Sequence, residues 1–367
     1  DLPSYTIINS PVVTDDYIIV ATGNSSNGGE ENKVYAFDKT TLVQVWEFEY
    51  NNPSDPNICY SSSPVVSNDK VFVTSWSGDE SFFDFLDKGN NKVIALDVNN
   101  GNKLWENDLP AGSFSTPSIS NDIVVVGCKN KNNDSLFAYD IETGEKLWSA
   151  NVGIIGCASP VIYDDKVFIV AKDQSLLSAH AIVICVDIDD GTILWNTTIT
   201  SSMSLTYDLS VSTPAIYNDV LYTASPDGTV YALNVNDGSV KWSNKIYKKG
   251  LFSSQLMTSS PAYADGTVYV GTPDGILYAL HSSNGNVAWQ YNETMGDSPV
   301  LSSPIVVDGI VYFSDEGGMM YGLGSYEESA DQQVTGSLIS IPIILPDEYV
   351  LDLSLIHISE PTRPLYI

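Results

Sequence analysis

The chain has 367 residues, 46 of them acidic and 16 basic, for a formal charge of −30, and 43% of its residues are apolar. Such a surface repels phosphate backbones and anionic membranes, which excludes nucleic acid as a partner, and no apolar run reaches the roughly 18 residues that read as a membrane span. Three histidines, no two at ligand spacing, argue against a transition-metal site.

In chain order, one phrase organises the sequence. It first appears as VYAFDKTTLVQVW (34–46) and returns as VIALDVNNGNKLW (93–105), LFAYDIETGEKLW (136–148), VICVDIDDGTILW (183–195), VYALNVNDGSVKW (230–242) and LYALHSSNGNVAW (277–289). The first half alternates as a strand does, a turn follows, and the second half starts a return strand ending on tryptophan. The glycine of the turn predicts a positive φ, as at the end of a three-residue hairpin loop. Trp46, Trp105, Trp148, Trp195, Trp242 and Trp289 follow one another at 59, 43, 47, 47 and 47 residues, the period of four-stranded propeller blades.

A second phrase keeps the same beat: Ser-Pro or Thr-Pro, an apolar run, a two-residue turn and another strand, as in SPAYADGTVYVG (260–271). Its prolines are Pro11, Pro64, Pro117, Pro160, Pro214, Pro261 and Pro304, so seven units are present. Each unit reads as strands A, B, C and D. The A–B turns, Asp15-Asp16, Asn68-Asp69, Asn121-Asp122, Asp164-Asp165, Asn218-Asp219, Asp265-Gly266 and Asp308-Gly309, use residues that tolerate the left-handed conformation. Proline at the head of strand A suits an innermost strand with one edge on an axial channel. Small residues beside it, Ser62, Ser115, Ala158, Ser212, Ser259 and Ser302, suit a place where strands converge. A tryptophan demanded once per blade is a plug between neighbouring blades rather than a platform for ligands. The expected fold is all-β, a β-propeller of four-stranded blades with seven repeat units visible and seven or eight blades in the intact protein.

The propeller is assigned to 1–324 as one domain. Residues 325–352, with Pro342 and Pro346, read as a linker or the start of a further module. LSLIHISEPTR (353–363) matches no repeat and resembles a translated sequencing adapter, so 353–367 is read as an artefact outside the fold. Asp1-Leu2-Pro3 matches Asp108-Leu109-Pro110, just past Trp105, and points either to a removed leader and part of a strand or to a further blade upstream. The seventh unit lacks its Gly turn and its tryptophan, and needs an outer strand from ahead of Asp1 or from 325–352.

These repeats resemble the pyrroloquinoline-quinone-type (PQQ-type) propeller repeats shared by quinoprotein dehydrogenases and by the barrel-assembly lipoproteins of bacterial outer membranes. For a dehydrogenase the resemblance implies PQQ clamped by a disulfide of adjacent cysteines, a basic side chain at the quinone oxygens, Ca²⁺ held by Glu, Asn and Asp, and an aspartate base. Here Cys59, Cys128, Cys157 and Cys185 are never adjacent and the lone arginine is Arg363. The expected function is therefore non-catalytic and cofactor-free: an extracellular or cell-surface scaffold, a monomeric domain of a larger protein, binding a protein or glycan. The alternative is a PQQ- and Ca²⁺-dependent alcohol or sugar dehydrogenase. The acidic turn Asp187 to Gly191 lacks the distal glutamate of an EF-hand loop and reads as turn chemistry. Cys128 and Cys157 fall on one face in neighbouring blades, where a disulfide is compatible with the placement and would persist under oxidising conditions. Sequons at Asn24, Asn133, Asn196 and Asn292 fit an exterior protein.

The candidate binding face comes from loop lengths. Blades five to seven connect B to C in 7 steps, whereas blade two takes 20, from Val73 to Val93. Its loop, 75–92, combines Trp76, Phe82, Phe83 and Phe85 with Asp79, Glu80, Asp84 and Asp87. Because strands alternate in direction, all B–C and D–A loops share one face, and in blades one to four they build up one sector of its rim for a protein or glycan partner. The competing reading is that the phenylalanines only give the loop a small core of its own. On the plug reading, Trp148→Ala should cost about 3–5 kcal/mol in denaturant unfolding through lost burial and a cavity; a change under about 1 kcal/mol would remove that role.

Overall fold

A computed structural model describes residues 10–22, 33–49, 58–78, 91–130, 133–172, 180–199, 212–247, 259–292, 298–325 and 338–340. Among them there is no helix, and the strands form seven antiparallel sheets in sequence order: Val12–Glu49, Ile58–Asp108, Ser118–Ala150, Val161–Thr198, Ala215–Lys245, Ala262–Tyr291 and Ile305–Ser340. These are blades 1 to 7 of a β-propeller. The chain divides into two compact units between Pro214 and Ala215, with blades 1–4 in the first and blades 5–7 in the second. Blade 7 takes its outer strand, Leu338–Ser340, from the 325–352 stretch.

Blade 3 shows why the repeat has its spelling. Strand C (Leu136–Asp140) is buried from Leu136 to Tyr139, and strand D (Lys146–Ala150) pairs with it. Ala138 stands opposite Trp148, but Tyr139 stands opposite Lys146, so Leu147 is the extra residue of a β-bulge. The same slip falls one residue before the tryptophan in blades 1, 2, 4, 5 and 6. A bulge bends and twists its strand, and here it re-aims the indole out of its own sheet. The bulged residues point outward, which accounts for exposed Val45, Leu104, Leu147 and Leu194. Five of the six positions opposite a tryptophan are alanine and one is Cys185, since only a small side chain leaves the indole room.

The re-aimed indoles of Trp46, Trp105, Trp148 and Trp242 land on the C–D turn of the next blade. Nε1 of Trp46, Trp105 and Trp148 donates to the carbonyls of Val98, Ile141 and Ile188 at 2.8, 3.1 and 2.6 Å, and in the second unit Trp242 reaches Ser282 at 2.7 Å. The acceptor residue is itself anchored, because its N–H donates to the A–B turn of its own blade, as Ile141 does to Asp122 at 2.8 Å. The ring face lies on the turn glycine. A Cβ on Gly101, Gly144, Gly191 or Gly285 would come within 2.4–2.7 Å of Trp46, Trp105, Trp148 or Trp242. Glycine is therefore required twice, for φ values of +71° to +76° across these turns and for the approach of the indole.

Two turns differ from expectation. The C–D loop is four residues long, Ile141 to Gly144 in blade 3, not three, because Asp140 pairs with Glu145 and Gly144 N–H reaches back to the Asp140 carbonyl. Asp140 Oδ1 accepts the N–H groups of Glu142 and Thr143 at 3.0 and 2.7 Å, and those bonds hold its carboxyl below the usual range. In blade 1 Leu42 takes the glycine's place at φ +57° and is 65% exposed. The A–B turns of blades 2, 4, 5, 6 and 7 have positive φ at both central residues, but blade 3 only at Asn121 and blade 1 at neither. In blade 1 the Thr14 hydroxyl closes the turn instead, accepting the Tyr17 N–H at 2.8 Å.

At the other edge, strand A explains the Ser/Thr-Pro pair. The hydroxyl just before the proline accepts the N–H of its counterpart in the preceding blade: Ser63 from Ser10 (3.1 Å), Ser159 from Thr116 (3.0 Å) and Thr213 from Ser159 (2.9 Å). The small serine one residue earlier takes a strand-B N–H that proline-headed strand A does not pair. Ser62 receives Thr74, Ser259 receives Gly271 and Ser302 receives Ser314. These positions are polar by need and not only small.

The two demands on the turn glycine are separable. Gly309→Ala places a Cβ at φ +75° with nothing within 4 Å, so it should cost only the left-handed term, about 1–2 kcal/mol. Gly144→Ala should cost on the order of 1–3 kcal/mol more through overpacking against Trp105, and the excess should vanish in a Trp105→Ala background. Equal urea midpoints for the two glycine variants would refute the indole seat.

Candidate functional site

In blade 2, strand B (Lys70–Gly78) is nine residues long. Its first half pairs with strand A (Val65–Ser67) and, through Ser75, with strand C (Lys92–Asp97). The upper half pairs with an additional strand from the preceding D–A connection, Ile58–Ser61, in the register Ile58↔Gly78 to Ser61↔Ser75. The long B–C connection thus leaves from the tip of a two-stranded ribbon raised above the sheet. Blade 4 does the same on a smaller scale, where strand B (Lys166–Lys172) bridges to Ile154 of the preceding loop by two backbone hydrogen bonds of 2.9 Å.

Trp76 is the one candidate residue within the described part of this loop, and it is half-buried. Asp79, Glu80, Phe82, Phe83, Asp84, Phe85 and Asp87 lie outside the described residues. The indole sits on the connection from blade 2 to blade 3: a Cβ on Gly112 would fall 2.0 Å from it, and the Phe114 ring is 5.0 Å away, tilted by 54°. That connection is tied to both blades, with Ser113 Oγ donating to Gly127 O at 2.5 Å and Thr74 Oγ1 donating to Ser115 O at 3.2 Å. The Ser75 and Ser115 hydroxyls nearby are buried and have no hydrogen-bond partner among the described residues. Trp76 thus packs on the connection between blades 2 and 3.

The far foot of the loop is also pinned. Asn91 is buried, its carbonyl accepting the Leu109 N–H at 2.8 Å. Lys92 Nζ reaches Glu106 at 3.1 Å and Asp108 at 3.2 Å; partial burial pushes its pKa down, but the two carboxylates outweigh that and raise it. In the second unit the B–C turns are minimal. Ser225 N–H closes on Thr229 O, Thr272 N–H on Ile276 O and Asp315 N–H on Met319 O, at 2.8, 2.9 and 3.0 Å. Asp315 is buried and accepts the Tyr321 hydroxyl at 2.7 Å.

Cys128 is buried beyond strand B of blade 3, Cys157 is half-buried before strand A of blade 4, and Cys185 is buried opposite Trp195, where desolvation pushes its thiol up to about 12. Cys128 is enclosed in the blade 3 core, whereas Cys157 is half-exposed in a loop. Among the described residues no group of three or more His, Cys, Asp and Glu side chains is placed to hold a metal. Asp187 and Asp190 are engaged by their own turn, accepting the N–H groups of Asp189 and Thr192 at 2.9 and 2.8 Å. No helix among the described residues is long and apolar enough to cross a membrane.

Gly112→Ala should displace the Trp76 indole, so acrylamide quenching of tryptophan fluorescence should rise, and the rise should be absent in a Trp76→Phe background. Unchanged quenching would show that the ribbon does not depend on this seat.

Comparison with known proteins agrees with the blade geometry. The family described as Outer membrane protein assembly factor BamB matches residues 3–87, 89–251 and 179–326. Among solved structures, BamB from Moraxella catarrhalis is similar at 17% identity and a TM-score of 0.64, covering 91% of this chain and 88% of that one. A europium-containing methanol dehydrogenase is similar at 15% identity and 0.63, covering 85% and 75%. The C-terminal WD40 domain of Sif2 is similar at 12% and 0.61, covering 87% and 82%. No curated protein sequence matches the chain. At these identities the structures share the fold alone; the family match, spanning seven repeat units, identifies the chain as a member of the BamB family of PQQ-like propellers.

Proposed function

We propose that the protein is a non-catalytic scaffold, exported and held at or beyond the cell surface, that binds a protein or glycan through the raised B–C face of blades 1–4. The observation that carries this reading is the contrast in loop construction. Blade 2 invests a long strand B and an additional strand in lifting its connection, while blades 5–7 close theirs with the shortest turns. A raised loop on a rigid sheet is the usual place for recognition. An exported location is supported by the family, whose name refers to the outer membrane, and by exposed sequon residues Asn133, Asn196 and Asn292.

Replacing residues 77–90 with a Pro-Asp-Gly turn should leave the unfolding midpoint nearly unchanged. It should abolish capture of the surface component that the unmodified chain retains from host envelope extracts. Retention of the same component by both chains would defeat the binding face. Incubation with PQQ and Ca²⁺ tests the enzyme alternative, and cofactor absorbance together with alcohol-dependent dye reduction would replace the scaffold reading.

A further inference from the structure

The second residue after the strand-A proline is aliphatic in six blades, Val13, Val66, Ile119, Ile162, Ile216 and Val306, and aromatic only in blade 6, at Tyr263. Aliphatic packing therefore suffices at this position. Tyr263 instead stacks on Tyr217, the last residue of strand A in blade 5 (Ala215–Tyr217), with centroids 4.2 Å apart and planes at 17°. Tyr222, on the same face of blade 5 as Tyr217, also lies parallel to Tyr263 at 5.7 Å and meets the plug Trp242 at 6.0 Å. Tyr263 is thus fixed by the packing between blades 5 and 6 and holds the Tyr217 ring flat, while Tyr217 remains 46% exposed.

Carboxylates outnumber cations at that end of the strands. The A–B turns of blades 5, 6 and 7 contribute Asp219, Asp265 and Asp308, and the C–D turn of blade 5 contributes Asp237. Lys241 is close enough to Asp237 to lower its pKa, behind the hydroxyl and backbone bonds from Ser239. Lys245 is committed at the opposite end to Asp227, at 3.2 Å. A fixed aromatic face within an anionic field favours a cation that can lie flat, and guanidinium does so better than ammonium because it is planar and more weakly hydrated. The chain cannot readily supply that group itself, since its one arginine is Arg363, in the stretch that resembles an adapter.

We propose that Tyr217, backed by Tyr263, is a seat for an arginine side chain of a basic partner protein, with Asp219 and Asp265 supplying the counter-charge. This seat is independent of the raised loops in blades 1–4. The test uses the full chain at low salt with fluorescently labelled acetyl-Gly-Arg-Gly-Arg-Gly-amide and its lysine counterpart. The arginine peptide should bind about two- to fivefold more tightly, the range for exposed cation–π contacts. Tyr217→Ala and Tyr217→Leu should both erase that preference, Tyr217→Phe should keep it, and Asp265→Asn should weaken both peptides alike. Equal affinity for the two peptides, or an arginine preference that survives Tyr217→Leu, would overturn the proposal. Binding of cellobiose that depends on Tyr217, without discrimination between the peptides, would overturn it in favour of a sugar platform.

Discussion

The architecture depends on one contact, repeated: an indole delivered by a bulge onto a glycine and a carbonyl of the next blade. A blade's buried strand C gives it a core, but its two faces stay apolar until neighbours cover them. Trp105 shows how that cover is made specific. Its ring packs with Phe72 of its own blade, 5.8 Å away, and with Tyr139 of the next at 6.2 Å, while Nε1 is satisfied by Ile141 O. Large apolar area, aromatic geometry and a buried donor with a partner are met together, which fixes the angle between blades as well as holding them.

The inner edge solves a different problem. Proline at the head of strand A removes a donor where no ladder partner exists, and serine or threonine before it hands a hydroxyl to the neighbouring blade. One blade-to-blade contact is apolar and lies at the C–D turn; the other is a polar relay at strand A. Strand C needs neither and is the most buried element of each sheet. This division leaves the B–C and D–A connections under little structural constraint, so they are free to vary in length. Blades 5–7 use that freedom to close tightly, and blade 2 uses it to raise a ribbon that Trp76, Gly112 and Phe114 brace against blade 3.

The raised ribbon separates presentation from contact. Trp76 belongs to the brace, packed on Gly112 and Phe114. The family resemblance is silent on recognition, because a propeller fold hosts many unrelated roles.

The amino-acid sequence by itself determined the repeat, the four-stranded blade, the plug role of tryptophan and the left-handed turns of Asn, Asp and Gly, because each is a local rule of spacing or backbone conformation written once per blade. It also located the asymmetry in loop length, which is a matter of counting. Tertiary structure alone decided where Trp46, Trp105, Trp148 and Trp242 point, since the bulge at Val45, Leu104, Leu147 and Lys241 appears only once strands C and D are in register. It likewise gave the turn glycine its second reason, the indole above it. It showed Ser62, Ser259 and Ser302 to be hydrogen-bond acceptors where sequence saw only small side chains, and it stacked Tyr217 on Tyr263 across 46 residues of chain. Spacing records what one segment does with its own backbone; which neighbour a side chain meets is fixed only when the blades are assembled side by side.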